Sequence, residues 1–313
     1  MRWKLIEGDC IAGMDELADS TVHCCVTSPP YFGLRDYGCE GQIGLEQSPD
    51  EYVSRLVDVF RSVRRILRDD GTLWLNLGDS WASTAQGTFN APQKMAGKNA
   101  GVYGNFRPKV GLPPKNLIGI PWRVAFALQA DGWFLRQDII WHKPNPMPES
   151  VRDRCTEAHE YIFLLSKKQN YYYDCDAVKE PVAESTIERL QQKNLMNQVG
   201  SSRVPGKTNG NMKAVGNTQT RNRRSVWTIP TRGFKGAHFA VYPEQLIEPC
   251  ILAGCPLDGT VFDPFTGSGT TAVVALRNQR NFIGTELNPE YCEIARNRIG
   301  SDMPLYATQN AIQ

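Results

Sequence analysis

The stretch Val261-Phe262-Asp263-Pro264-Phe265-Thr266-Gly267-Ser268-Gly269-Thr270-Thr271 decides the fold. It predicts a strand that ends at Asp263, a tight glycine-containing turn, and a helix that begins near Thr270. Glycines let the backbone approach a ligand closely, and the N-terminus of a helix offers unpaired N–H groups. Nineteen residues after Gly267, the next strand ends at Glu286, whose carboxylate can accept hydrogen bonds from ribose hydroxyls. These features indicate a nucleoside-binding βαβ unit without the third glycine of dinucleotide-binding proteins.

Strand and helix patterns alternate on both sides of this unit. Apolar runs typical of strands are separated by patterns with apolar residues at three- and four-residue spacing, which are typical of helices. The alternation predicts an α/β fold with a mostly parallel sheet and helices on both faces. Glu160–Ser166 and Tyr171–Tyr173 indicate a hairpin that adds an antiparallel edge. The other predicted strands are Val22–Thr27, Thr72–Leu77, Phe134–Trp141, Thr260–Asp263 and Asn281–Glu286, and the predicted helices are Pro49–Leu67, Pro121–Ala130, Pro243–Leu252, Thr270–Leu276 and Pro289–Ile299.

The composition of the 313 residues is that of a globular protein, with 41% hydrophobic and 22% charged residues. No run of about 18 apolar residues is present, and the N-terminus lacks the apolar stretch of a signal peptide. The nine cysteines are scattered, form no CxxC pair, and have no histidine at zinc-finger spacing. We therefore expect a cytoplasmic protein with reduced, mostly buried thiols and no bound metal.

The net charge of +2 hides two strongly basic segments. Arg189 to Lys235 contains ten Lys or Arg residues, and Trp81 to Lys115 contains five. Neither segment contains an Asp or a Glu. The remainder of the chain therefore sums to −13. An acidic body with two basic segments favours local binding of a polyanion such as nucleic acid. We expect Ser80–Asn116 and Ala183–Thr231 to be insertions into the core that carry binding specificity.

A second motif, Ser28-Pro29-Pro30-Tyr31, directly follows the predicted strand Val22–Thr27. Consecutive prolines cannot continue a strand ladder, and they stiffen the backbone beside a hydroxyl and an aromatic ring. A carbonyl oxygen and the Ser28 hydroxyl can accept both hydrogens of an amino group, while Tyr31 stacks on the ring that bears it. Accepting these hydrogens localises the nitrogen lone pair toward a methyl donor, so no covalent nucleophile is required.

Together, the two motifs resemble those of the DNA amino-methyltransferases with the β-type motif order. The catalytic motif of that family is [DNS]-P-P-[YFW], and its cofactor motif is the D-P-F-x-G-x-G-T-T found here from Asp263 to Thr271. The catalytic motif comes first, a target-recognition region follows, and the cofactor motif comes last, as in this chain. The resemblance implies a Rossmann-like methyltransferase sheet, S-adenosylmethionine as the cofactor, and double-stranded DNA as the partner. It covers nearly the whole chain except the two basic segments.

The resemblance also implies roles for individual residues. Around the cofactor, Glu286 would hold the ribose hydroxyls, Asp9 would contact the adenine, and a segment with His238 and Phe239 would line the methionine side. The implied catalytic residues are Ser28, Pro29, Pro30 and Tyr31, and the cofactor-binding residues are completed by Asp263, Pro264, Phe265, Gly267, Ser268, Gly269, Thr270 and Thr271.

The resemblance further implies three parts of the chain and a route for the target base. We expect Met1–Val182 to be the catalytic half of the core, Ala183–Thr231 the target-recognition region, and Arg232–Gln313 the cofactor-binding half. Because the target amine points into the duplex, the base must rotate out of the stack. The basic segments would then contact phosphates and base edges. The DNA-binding candidates are Lys94, Arg107, Lys109, Arg203, Lys207, Arg221, Arg223 and Arg224.

Several alternatives remain at this level. The target is either adenine N6 or cytosine N4, because serine at position 28 is commoner among cytosine N4 enzymes without excluding adenine. RNA or protein glutamine is an alternative substrate, although enzymes of that kind normally have the reverse motif order. A third hypothesis is that the chain is a non-catalytic, DNA-binding relative that keeps the fold. Pro249-Cys250 is similar to the nucleophile motif of cytosine ring-carbon methyltransferases, but it is predicted within a helix and therefore as part of the core. A homodimer is implied by resemblance alone.

Overall fold

A computed structural model describes residues 2–82, 110–191, 219–231 and 242–302. These ranges contain ten strands and seven helices. In chain order they are β1 (Trp3–Glu7), α1 (Cys10–Asp15), β2 (Val22–Thr27), α2 (Pro49–Ile66), β3 (Leu67–Leu77), α3 (Ile120–Ala130), β4 (Phe134–His142), β5 (His159–Ser166), β6 (Glu180–Pro181), α4 (Glu184–Gln191), β7 (Thr220–Arg221), β8 (Val226–Thr228), α5 (Glu244–Gly254), β9 (Thr260–Asp263), α6 (Thr270–Arg277), β10 (Asn281–Glu286) and α7 (Pro289–Asp302).

Local sequence explains where the main elements begin and end. The Ser48 side chain caps α2 by accepting a hydrogen bond from the Glu51 N–H, and Pro49 occupies the first turn, where its missing N–H is harmless. α2 ends at Ile66, and Leu67 enters β3 in an extended conformation. α6 begins after Gly269, whose φ of 81° is a left-handed conformation that glycine adopts readily.

Eight strands form one mixed sheet in the order β1-β10-β9-β2-β3-β5-β4-β8. All neighbouring pairs are parallel except the two pairs that involve β5, which runs antiparallel to both β3 and β4. The predicted α/β fold with a mostly parallel sheet is therefore confirmed. Because β5 runs in reverse, its first residues lie at the edge of the sheet where the parallel strands end.

The predicted hairpin was wrong in its second strand. Tyr171–Tyr173 forms no strand, and β5 pairs with β3 and β4 inside the sheet. The last five residues of β5 are buried, as expected for a strand with neighbours on both sides, whereas Tyr173 lies 40% exposed and stacks on Trp74. The sequence reading also missed β1, which extends the sheet beside β10.

Successive side chains of the central strands point to opposite faces, and each face carries its own helices. Cys25 on β2 and Leu75 on β3 belong to the apolar cluster that includes α2 and α3. The neighbouring Cys24 and Trp74 point the other way, toward Gly254 at the end of α5. A Cβ at Gly254 would lie 2.6 Å from Trp74 Nε1, so this close packing requires glycine. Helices on both faces were predicted.

The chain divides into two compact units, Met1–Tyr173 with Ser225–Gln313 and Asp174–Arg224. The first contains the eight-stranded sheet, and the described part of the second contains α4 and the small β6–β7 ladder. All nine cysteines lie in the described ranges as free thiols, six of them buried, and Cys39, Cys155 and Cys175 more accessible. Within those ranges no helix has the length and apolar character needed to cross a bilayer. Cytoplasmic localisation stays a prediction.

Candidate active site

The functional motifs meet at the edge of the sheet where the parallel strands end. The loops after β1, β2, β9 and β10 all leave the sheet at this edge, and a cavity of about 420 Å³ lies among them. The structure therefore brings the two sequence motifs into one cavity, although 235 residues separate Ser28 from Asp263. The sequence-predicted residues that line it are Asp9, Ser28, Pro29, Pro30, Tyr31, Pro264, Phe265, Gly267, Ser268, Thr270 and Glu286.

Asp263 lies beneath the glycine loop and is only 1% exposed. Its Oδ1 accepts hydrogen bonds from the Thr27 hydroxyl at 2.6 Å and the Phe265 N–H at 3.0 Å. Its Oδ2 accepts from the hydroxyls of Thr271 at 2.5 Å and Tyr242 at 3.2 Å. Burial raises the pKa of Asp263, and these hydrogen bonds oppose the rise. The carboxylate therefore ties the end of β9 to β2 and α6.

Three of the predicted cofactor-binding residues do not line the cavity. Asp263, Gly269 and Thr271 lie behind the loop that does. Asp263 and Thr271 bond to each other, and Gly269 supplies the left-handed turn that starts α6. Their observed contacts shape the loop from below, so a direct contact of these three residues with the cofactor stays a prediction.

Glu286 ends β10 and faces the cavity. Its Oε2 accepts a hydrogen bond from the Gly267 N–H at 2.7 Å, and its Oε1 accepts one from the Asn288 N–H at 2.9 Å. Burial raises the pKa of Glu286, and the two backbone donors oppose the rise. The carboxylate thus fixes the glycine loop and still presents oxygen lone pairs at the cavity wall.

Asp9 follows β1 and caps the N-terminus of α1. Its Oδ1 accepts hydrogen bonds from the N–H groups of Ile11 at 3.0 Å and Ala12 at 3.1 Å. The residue also lines the cavity. Asp9 and Glu286 are therefore two carboxylates on the cofactor-motif side of the site, at the ends of the adjacent strands β1 and β10.

The Ser28–Tyr31 loop leaves β2 and enters the cavity wall. The carbonyl of Pro30 accepts a hydrogen bond from the Tyr52 hydroxyl at 2.8 Å. Tyr52 lies fully buried on α2, where its ring packs against Phe32. This bond anchors the loop to α2 and engages one lone pair of the Pro30 carbonyl.

A polar cluster stands beside the Ser28–Tyr31 loop. The Tyr31 hydroxyl donates to Glu160 Oε2 at 2.7 Å and lies 3.2 Å from Asn76 Oδ1. Asn76 Nδ2 donates to the same Glu160 oxygen at 3.1 Å, and Lys143 forms an ion pair with the other oxygen. Burial and the nearby Glu160 carboxylate raise the pKa of Tyr31 well above its ordinary value, so the phenol remains a proton donor.

The sequence reading missed several residues of the site. Glu160, Lys143 and Trp141 line the cavity, and Tyr242 bonds to Asp263 from the segment before α5. None of them belongs to a motif, and Tyr52 lies within the predicted helix Pro49–Leu67, for which no role in the site was predicted. A partial signal existed for Glu160, because it begins a predicted strand whose other residues are mostly apolar.

The remaining predicted residues lie elsewhere. Arg221 and Arg224 both contact the Glu180 carboxylate, at 3.0 and 2.8 Å, within the second compact unit, which also contains Arg223. Cys250 is buried within α5, as predicted for the Pro249-Cys250 pair. Seven candidates lie outside the described residues, namely Lys94, Arg107, Lys109, Arg203, Lys207, His238 and Phe239.

Comparison with known proteins connects this geometry with one family. Residues 22–297 match the N6/N4 methyltransferase family model, which is described as DNA methylase. The chain is 48% identical over 297 residues to the Type II methyltransferase M.Cfr9I of Citrobacter freundii, covering 94% of this chain and 87% of that protein. It is 47% identical over 298 residues to the Type II methyltransferase M.SmaI of Serratia marcescens, covering 95% and 90%.

Two solved structures share the fold at lower identity. The PvuII DNA methyltransferase, which is cytosine-N4-specific, superimposes with a TM-score of 0.62 at 18% identity, covering 99% of this chain and 94% of that one. A Thermus thermophilus protein, assigned as a DNA modification methylase and solved with S-adenosyl-L-methionine, superimposes with a TM-score of 0.59 at 21% identity, covering 96% and 94%. At these identities the likeness concerns the fold.

Proposed function

Because the chain belongs to the N6/N4 DNA methylase family and is an S-adenosylmethionine-dependent DNA methyltransferase, we propose that it methylates an exocyclic amino group, N6 of adenine or N4 of cytosine. The observation that carries this proposal is the single cavity shared by the Ser28–Tyr31 loop and the glycine loop. A methyl donor and an amino group bound at the two loops would be neighbours, and proximity of this kind is a large part of catalysis.

The cavity fits the cofactor by size and by the chemistry of its walls. Its volume of about 420 Å³ lies within the range typical of small-molecule sites. The cofactor-motif side offers the Glu286 and Asp9 carboxylates as acceptors for ribose hydroxyls and the adenine amine, and Phe265 as an apolar surface. S-adenosylmethionine, when bound, supplies a methyl group on a positively charged sulfur. These residues would hold it with the methyl group toward the Ser28–Tyr31 loop.

The Ser28–Tyr31 loop would hold and activate the amine. The Ser28 hydroxyl and the Pro29 carbonyl would accept its two hydrogens, since both residues line the cavity and the Pro30 carbonyl already accepts a hydrogen bond from Tyr52. Accepting both hydrogens turns the nitrogen lone pair away from conjugation with the ring. Tyr31 supplies an aromatic surface for the base, and stacking on such a surface is worth about 1–3 kcal/mol per base.

The target base would have to leave the duplex. The amine to be methylated lies on the base-pairing edge, whereas Ser28 and Tyr31 are half-buried in the cavity wall. Rotation of the nucleotide into the pocket requires a few kcal/mol of unstacking, which contacts in the pocket can offset. We therefore propose base flipping for this enzyme.

DNA recognition is assigned to the two basic segments, with the predicted target-recognition region at Ala183–Thr231 and the predicted basic loop at Ser80–Asn116. Their excess of Lys and Arg suits phosphate contacts, which position a protein on DNA. Within the second compact unit, Arg224 is largely exposed despite its contact with Glu180, so its guanidinium is accessible to a phosphate.

Transfer of radiolabelled methyl from S-adenosylmethionine to unmethylated duplex DNA tests the proposal, followed by digestion to nucleosides and mass spectrometry. We expect N6-methyladenine or N4-methylcytosine. Ser28→Ala should lower the rate about 10- to 100-fold because one acceptor of the amine is lost. Ser54→Ala, an exposed serine on α2, is the matched control. Methylation at a ring carbon, or transfer to RNA or protein but not DNA, would contradict the proposal.

A further inference from the structure

A poorly accessible ion pair between Lys143 and Glu160 forms part of the cavity wall beside Tyr31. The two side chains are only 18% and 15% exposed. Moving two charges out of water is costly, and good hydrogen-bond geometry is needed to compensate. Neither residue is part of the two motifs that identify the family. Because an ion pair is costly in this poorly accessible part of the cavity wall, we expect it to have a role in the site.

Glu160 uses both carboxylate oxygens to organise its surroundings. Oε2 accepts hydrogen bonds from the Tyr31 hydroxyl at 2.7 Å and from Asn76 Nδ2 at 3.1 Å. Oε1 contacts Lys143, whose ammonium also lies 4.6 Å from the centre of the Trp141 ring. The Glu160 carboxylate therefore links the Tyr31 hydroxyl to strand β3, to the end of β4 and to the start of β5.

The ring of Tyr31 is restrained as firmly as its hydroxyl. It lies against the backbone of Gly78, where an added Cβ would come within 2.7 Å of Tyr31 Cε2. One edge is thus held by contact with Gly78, and the hydroxyl is held by Glu160. A side chain fixed before its ligand arrives loses little conformational entropy on binding.

We infer that Glu160, in its ion pair with Lys143, is a positioning residue for methyl transfer that acts through Tyr31. It holds the tyrosine ring where the target base stacks, and it holds the phenol oxygen 3.5 Å from the Ser28 hydroxyl. The inference rests on the proposed function, because the stacked base is the one that carries the amine. It assigns Glu160 no contact with the reacting atoms.

A double-mutant cycle between Glu160→Gln and Tyr31→Phe tests this inference. Single-turnover methyl transfer to duplex DNA is measured at saturating cofactor, together with Kd for S-adenosylmethionine and for DNA. We expect each substitution to slow transfer about 10- to 100-fold, the effect of losing a charged hydrogen bond, with Kd changed less than about threefold. Because both substitutions remove the same link, the double variant should be about as slow as the slower single variant.

Two further variants separate positioning from folding. Glu160→Gln leaves the poorly accessible Lys143 without its carboxylate. Glu160→Gln combined with Lys143→Met restores neutrality, and this double variant should transfer as slowly as Glu160→Gln alone. Asp69→Asn is the matched control, since Asp69 pairs with Lys168 at the opposite end of β3 and β5 and should leave the rate unchanged. Tyr161→Phe controls for loss of a phenol outside the cavity wall.

The outcomes distinguish the inference from the proposed function. Multiplicative effects in the cycle, a wild-type rate for Glu160→Gln, or recovery of the rate by the neutral double variant would each overturn the positioning role. Absence of transfer to any DNA amino group by the folded wild-type protein would instead overturn the proposed function, whatever the variants do.

Discussion

Replacement of Asp263 distinguishes a carboxylate that binds the cofactor from one that shapes the loop beneath it. The family resemblance implies the first role, whereas the observed contacts support the second. Four donors point at the two carboxylate oxygens, and the side chain is 1% exposed and does not line the cavity. Asp263→Asn and Asp263→Ala remove different parts of this arrangement.

The expected loss of stability follows from counting donors. In Asp263→Asn, the remaining oxygen still accepts from Thr27 and Phe265, while the new amide donates to the hydroxyls of Thr271 and Tyr242, which can rotate to accept. We expect a loss of about 1 kcal/mol. In Asp263→Ala, Thr271 and Tyr242 can bond to each other across 2.5 Å, but the Thr27 hydroxyl and the Phe265 N–H lose their acceptor. Each orphaned donor costs about 1–3 kcal/mol, so we expect a loss of about 4 kcal/mol.

Urea unfolding followed by circular dichroism measures these losses, and titration calorimetry measures cofactor affinity. If Asp263 shapes the loop from beneath, Asp263→Asn should bind S-adenosylmethionine within about threefold of wild type, a difference below 1 kcal/mol. A fall of about 50-fold or more in affinity with unchanged stability would refute this reasoning, because it would place the carboxylate in direct contact with the cofactor. Equal destabilisation by Asn and Ala would refute the count of donors.

Two further substitutions follow from the same structure. In Gly78→Ala, the Tyr31 ring must retreat by about 0.7 Å to restore the 3.4 Å of an ordinary contact. A displacement of this size should slow single-turnover methyl transfer about 100-fold without lowering the melting temperature much, and an unchanged rate would contradict the restraint on Tyr31. In Glu157→Gln, an unfavourable charge disappears, because burial, Asp79 and Glu160 raise the pKa of Glu157 from 4.5 to about 7. The folded protein therefore binds this proton more tightly than the unfolded chain, and wild-type stability falls as pH rises from 4.5 to about 7. Urea unfolding should show the variant about 1 kcal/mol more stable than wild type at pH 8, after allowance for solvent screening, and no more stable at pH 4. An equal difference in stability at both pH values would contradict the raised pKa of Glu157.

The nucleotide-binding part of the fold could be predicted because its signals are local. Asp263, the two glycines of the turn and the start of the following helix lie within eleven residues of sequence, and Glu286 ends the next strand. Each feature reflects a backbone requirement of a single βαβ unit. The Ser28–Tyr31 motif is equally local, because two prolines stiffen the chain wherever they occur. The two motifs then share one cavity because the parallel strands that precede them end at the same edge of the sheet.

The antiparallel part of the sheet could not be predicted in the same way. Pairing of β5 with β3 and β4 joins residues about 90 and 25 positions apart, and no local pattern records which strands are neighbours. The tyrosines at 171–173 suggested a partner because aromatic residues are common in strands, yet Tyr173 packs its ring on Trp74 from outside the sheet. Tertiary packing, and not local sequence, therefore determines that Tyr171–Tyr173 forms no strand.

The antiparallel direction of β5 also explains why the sequence did not predict the polar cluster beside Tyr31. In a fully parallel sheet, the edge with the cavity would receive only the carboxyl ends of strands and the loops that follow them. Because β5 runs in reverse, its second residue, Glu160, reaches that edge from within a strand paired on both sides. A carboxylate on such a strand is placed more rigidly than one on a loop, which suits a residue that holds Tyr31. The departure from parallel topology therefore supplies a fixed acceptor where the catalytic loop needs one.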